Sequence, residues 1–144
     1  MTTTTQDLKA AARGLLAEID ANQAASIPAV FAQHFVARMP GMPPLDRAAF
    51  QQFGQAFYAA FPDLRHSIEE QVAEGDTVVN RLLVRGTHRG DFQGIPPSGK
   101  AVAIAAISIQ RFEGGQLVEQ HLLVDTLGLL QQLGAVPAPE QTSA

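Results

Sequence analysis

The sequence predicts an α+β fold, with N-terminal helices packed on one face of a mainly antiparallel sheet. Two observations carry that expectation. Up to Phe61 the apolar residues recur mostly at helical spacing, and beyond Pro62 the period switches to strand-like alternation. The later apolar runs are then separated by turn-forming residues, as in successive hairpins. At 144 residues the chain has the length of one domain with one core. The expected domain spans residues 1–135, and 136–144 (VPAPEQTSA) reads as a disordered tail.

The elements follow in order. Residues 6–20 place Leu8, Ala12, Leu15, Leu16 and Ile19 on one helical stripe. Ser26-Ile27-Pro28 predicts a second, short helix to Gln33, because Ser is a good cap and Pro suits a first turn. Residues 34–39 alternate as a strand, and the proline-rich 40–44 is loop. Asp46 caps a helix to Phe61 that carries Phe50, Phe53, Phe57, Tyr58 and Phe61, before Pro62 ends it. Strands are predicted over 64–74, 77–89, 101–112 and 116–125, with helical turns over 126–133.

Composition excludes several function classes. The charge of −4, with ten scattered basic residues, gives no nucleic-acid-binding patch. Without cysteine there is no disulfide framework and no thiolate metal site. The four histidines lack metal-ligand spacing, and residues 94–100 are not a phosphate loop because their prolines remove amide donors. MTTTTQDLKA has no apolar signal core, and no run reaches the length of a membrane span, so a cytoplasmic protein is expected.

The candidate site comes from the last hairpin. A two-residue turn at Glu113-Gly114 or Gly114-Gly115 pairs even-numbered residues of 101–112 with odd-numbered residues of 116–125. His121 and Asp125 then share a face with Ala106, Ser108 and Leu123, whose mostly small side chains leave room for a pocket. Ile107, Ile109, Leu122 and Val124 form the opposite, aliphatic face. Asp125 has two readings. It precedes a helical turn, so it suits an N-cap; if desolvated, it suits a general acid/base. His88 at a strand end, His34, Phe53 and Phe57 complete the pocket candidates.

These residues also resemble a family. FPDL (61–64), EGDTVVNRLLVRGTHRGDFQGIPPSGK (74–100), RFEGGQLVEQHLLVD (111–125) and LGLLQQLG (127–134) are similar to the SnoaL-like polyketide cyclase family, over roughly residues 8–134. The resemblance implies the cone-shaped α+β fold of nuclear transport factor 2, ketosteroid isomerase and limonene epoxide hydrolase, its curved sheet enclosing a pocket. It implies intramolecular aldol ring closure of a carbonyl-rich hydrophobic substrate, with no metal or organic cofactor. Asp125 falls where the family has its acid/base aspartate, while His121 stands where many members carry Trp. A homodimer is implied as well, and the aliphatic outer face is too apolar to leave in water. The alternatives are an epoxide hydrolase or isomerase of the same fold, although no second aspartate pairs with Asp125, and a non-catalytic small-ligand-binding module.

Overall fold

The computed structural model describes residues 3–139. Helix α1 (Thr5–Asn22) starts in a capping box: Thr4 accepts from the Asp7 amide, and the Asp7 carboxylate accepts from Thr4. Its stripe of Leu8, Ala12 and Leu15 is buried, and Gln23 ends the helix in a left-handed conformation (φ 55°). Six strands form one sheet in the order β2-β1-β6-β5-β4-β3, all neighbours antiparallel except β1 and β6. The strands are β1 (Phe31–Arg38), β2 (Leu45–Asp46), β3 (Arg65–Glu74), β4 (Thr77–Thr87), β5 (Ala101–Glu113) and β6 (Gln116–Val124). Helices α2 (Arg47–Ala60) and α3 (Thr126–Gln132) complete the fold. Of the expected tail, 136–139 has no regular structure and 140–144 lies outside the described residues.

One predicted element is absent. Residues 26–33 do not form a helix; a single turn closes from the Phe31 amide to the Pro28 carbonyl, and the chain then extends into β1. Tertiary pairing overrides the local helix-start signal here. Phe31 and Phe35 are buried in edge-to-face contact at 4.8 Å, and β1 runs parallel to β6. Strand β4 also stops two residues early, because His88 turns into a loop that it ties down through Lys100 and Gly99.

The decisive local feature is in β6. Gly114-Gly115 form the two-residue turn, both at positive φ (57° and 81°), and pair Glu113 with Gln116 and Phe112 with Leu117. A bulge then takes up Val118, so Arg111 pairs with Glu119 and every later partner is shifted by one. Leu117 and Val118 are both buried, and the parity of the rest of β6 is reversed. Gln120 therefore faces Gln110, Leu122 faces Ser108 and Val124 faces Ala106, all on the inner side. His121 pairs with Ile109, and Leu123 with Ile107, on the outer side. The expected partition of this hairpin is thus corrected by one residue.

Candidate active site

Between α1, α2 and the inner sheet face lies a cavity of about 120 Å3. Leu15, Leu16 and Ile19 of α1 line one side. From α2 come Phe50, Phe53 and Phe57, whose rings follow one another at 6.2 and 5.1 Å. The sheet contributes His66, Leu82, Val84, Ile104, Ala106, Ser108, Gln110, Gln120, Leu122 and Val124. Among the sequence candidates, Phe53, Phe57, Ala106 and Ser108 lie here.

The others do not. Asp125 is exposed and caps α3, its carboxylate accepting from the Gly128 amide at 2.9 Å. A Cβ on Gly128 would collide with that carboxylate, so the D-x-x-G spacing serves the cap. His121 and Leu123 stand exposed on the outer face, carried there by the Val118 bulge, and His121 lies 3.8 Å from the Glu119 carboxylate. His34 is exposed on β1. His88 is fully buried but away from the cavity: Nδ1 accepts from the Ser98 amide at 3.2 Å and lies 2.9 Å from its hydroxyl, while the ring packs on Phe61. It anchors the 88–100 loop instead.

Sequence reasoning missed the ionisable group that the cavity does hold. Of the described residues lining it, His66 and Tyr58 are the titratable ones. His66 Nδ1 lies 2.7 Å from the Asp20 carboxylate, whose other oxygen accepts the His66 amide at 2.9 Å. The Tyr58 hydroxyl donates to the same carboxylate at 2.5 Å. Burial opposes the charge on Asp20, but the hydrogen bonds from His66 and Tyr58 outweigh it and hold the carboxyl below its ordinary range. Burial and the Asp20 charge push Tyr58 well above the ordinary tyrosine range, so it stays a donor. An ionised carboxylate only accepts, so Nδ1 carries a proton in this contact, and the imidazole, when neutral, has its lone pair on Nε2. The alternation of β3 carried a signal, since His66 shares its face with the cavity-side Ile68. Asp20 follows Leu16 by one helical turn, at the edge of the apolar stripe.

A second, neutral polar group crosses the cavity floor: Asn80, Ser108, Gln110 and Gln120 are all buried and hydrogen-bonded in series. Among the described residues, no three His, Asp or Glu side chains gather where they could hold a metal ion, and no helix is long and apolar enough to cross a membrane.

The fold and cavity define an α+β protein of the helix-covered, cone-shaped kind. The family model of the SnoaL-like polyketide cyclase matches residues 9–133, and the chain belongs to that family. No curated protein sequence matches it. Among solved structures, AclR of Streptomyces galilaeus, provisionally assigned as a hydroxylase, superposes with a TM-score of 0.88 at 25% identity, over 96% of this chain and 87% of its own. IdmH of Streptomyces antibioticus, provisionally a polyketide cyclase, gives 0.79 at 27% identity, over 88% and 97%. A protein of Acidithiobacillus ferrooxidans with the same provisional assignment gives 0.76 at 28% identity, over 94% and 99%.

Proposed function

We propose that this protein is a cofactor-independent cyclase-type enzyme that handles protons on a carbonyl-rich hydrophobic compound, with His66 as the general base and Asp20 as its positioning residue. The observation that carries this reading is the Asp20–His66 pair on a largely apolar cavity whose other polar side chains are neutral. His66 Nε2 takes a proton from a carbon beside a carbonyl, breaking the C–H bond and leaving an enolate. The enolate carbon attacks a second carbonyl of the same molecule, forming the C–C bond. The resulting alkoxide recovers the proton from the imidazolium. No net proton is consumed, and the apolar walls bring the two carbons together while excluding water. Asp20 holds the Nδ1 tautomer and stabilises the transient imidazolium.

The assay needs no natural substrate. Exchange of the acidic C1 protons of 2-tetralone in D2O, followed by NMR, reports the first step alone. His66→Gln should lower the protein-catalysed exchange about 100- to 10,000-fold, whereas Asp125→Asn should leave it unchanged. Catalysed exchange that survives His66→Gln and is lost in Asp125→Asn would return the role to Asp125.

The active form we propose is a homodimer joined through the outer sheet face. Val72, Ile107, Ile109 and Leu123 are 59, 43, 44 and 56% exposed there, which supports a face covered in the working protein. Leu122 and Val124, expected on that face, line the cavity instead.

A further inference from the structure

We infer that Gln120 and Ser108 form a donor pair on the cavity floor that receives a carbonyl or enolate oxygen, and that a backbone carbonyl more than one strand away sets this polarity. The assignment rests on the cavity being the substrate site. It follows from the order of the buried amides. Gln71 Nε2 donates to the Lys9 main-chain carbonyl at 3.2 Å and to Asn80 Oδ1 at 2.8 Å. A main-chain carbonyl can only accept, so the Gln71 amide cannot be turned round. With its oxygen thus engaged, Asn80 presents Nδ2, which donates to Gln110 Oε1 at 2.8 Å and to Ser108 Oγ at 3.0 Å. Gln110 in turn donates through Nε2 to Gln120 Oε1 at 2.9 Å.

Each link fixes the next, and every side-chain oxygen from Asn80 to Gln120 is engaged as an acceptor. What the chain offers at its cavity ends is donors. The Gln120 amide nitrogen donates to no group among the described residues, and the Ser108 hydroxyl, already accepting from Asn80, has its own proton to place. Both residues line the cavity. Gln120 pairs with Gln110 and Leu122 with Ser108, so the two donors are diagonal cross-strand neighbours, roughly 7–8 Å apart at Cα and within reach of one ligand. The ligand feature that matches two neutral donors in an apolar cavity is an oxygen acceptor. At the Gln120–Ser108 end a hydroxyl that must donate finds no free acceptor, because both side-chain oxygens already accept, and a carboxylate would have no Lys or Arg beside it, since none lines the cavity. Charge that develops on the oxygen during enolate formation would meet donors already aligned.

Calorimetric titration with 2-tetralone, tetralin and 2-naphthol tests this on one ring system carrying an acceptor, nothing, or a donor. The wild-type protein should bind the ketone about tenfold more tightly than the hydrocarbon. Gln120→Met should erase that preference and leave tetralin binding intact. Gln71→Glu is the distant test: a carboxylate must accept from Asn80, which turns each amide in series and leaves the Gln120 oxygen facing the cavity. Preference should then pass from the ketone to the naphthol, a reversal that general loosening of the fold would not produce. Equal wild-type affinity for ketone and hydrocarbon, or a ketone preference that survives Gln120→Met, overturns the donor assignment while leaving the His66 exchange result standing. Loss of exchange in the wild type with the ketone preference intact does the reverse.

Discussion

Gln120 and His121 are neighbours in β6 with opposite surroundings. Gln120 is buried, hydrogen-bonded to Gln110 and part of the cavity floor, while His121 is half-exposed beside Glu119 on the other side of the sheet. Across β5 the same split separates Ser108, which is 3% exposed, from Ile107 and Ile109, at 43 and 44%. At these positions the inner face sets buried polar groups among the apolar cavity walls, and the outer face exposes aliphatic side chains to solvent. A hydrophobic-in, polar-out rule holds for most of the sheet but misplaces Ser108, Gln110 and Gln120 on one side and Ile107 and Ile109 on the other. Burial of neutral polar groups is tolerable on the inside because each is hydrogen-bonded. Exposure of aliphatic ones is what a sheet-to-sheet partner would relieve.

The sharpest way to break this comparison is to put the same charge on either side of one peptide bond. Leu122→Asp places a carboxylate in the cavity wall, where it meets only apolar groups and neutral donors; it should cost about 2–4 kcal/mol in chemical denaturation and abolish 2-tetralone binding. Leu123→Asp, on the exposed face, should change monomer stability by no more than about 0.5 kcal/mol, yet shift the protein to monomer in sedimentation. Similar losses from the two variants would mean that β6 does not have the register described.

The register also shows how far the sequence could be read. A two-residue turn within 113–115, the long alternating strands and the cap at Asp46 were legible because each is set by residues adjacent in the chain. The partition of β6 was not, because it depends on the bulge at Val118, and the only local trace of that bulge is the apolar doublet Leu117-Val118 that breaks the alternation. One unpaired residue exchanged His121 and Leu123 for Gln120, Leu122 and Val124 in the cavity. The missing short helix at 26–33 has a similar cause, since pairing of β1 with a strand some eighty residues later decided its backbone. The Asp20–His66–Tyr58 cluster joins three elements, with Asp20 and His66 46 positions apart, and no spacing motif could announce it.

A change of smaller expected size tests that cluster. Asp20→Asn weakens three hydrogen bonds to a partly buried carboxylate and should lower stability at neutral pH by about 1–3 kcal/mol. The dependence on pH has a definite sign. The folded-state carboxyl is held below its ordinary value of 3.8, so its contribution is fully present above that value and is lost as pH falls through the lower, folded one. The gap in melting temperature between wild type and Asp20→Asn should therefore be constant near neutrality and narrow in acid below about pH 4. A gap that widens in acid would show that Asp20 is not held ionised by His66 and Tyr58.

The smallest effect concerns the residue whose position first invited a catalytic reading. If Asp125 serves α3 as a cap, Asp125→Ala should cost about 1 kcal/mol of stability and leave proton exchange on 2-tetralone intact. Gly128→Ala should also destabilise, although alanine is the better helix former by about 1 kcal/mol, because its Cβ would occupy the place of the capping carboxylate. Once Asp125 is alanine that obstacle is gone, and Gly128→Ala should become stabilising. The sign of one substitution thus depends on the residue three positions earlier, which a double-mutant cycle reads directly. Additive effects would mean that the aspartate and the glycine do not act together, and the pairing of D with G in this stretch would then have to be explained by something other than the cap.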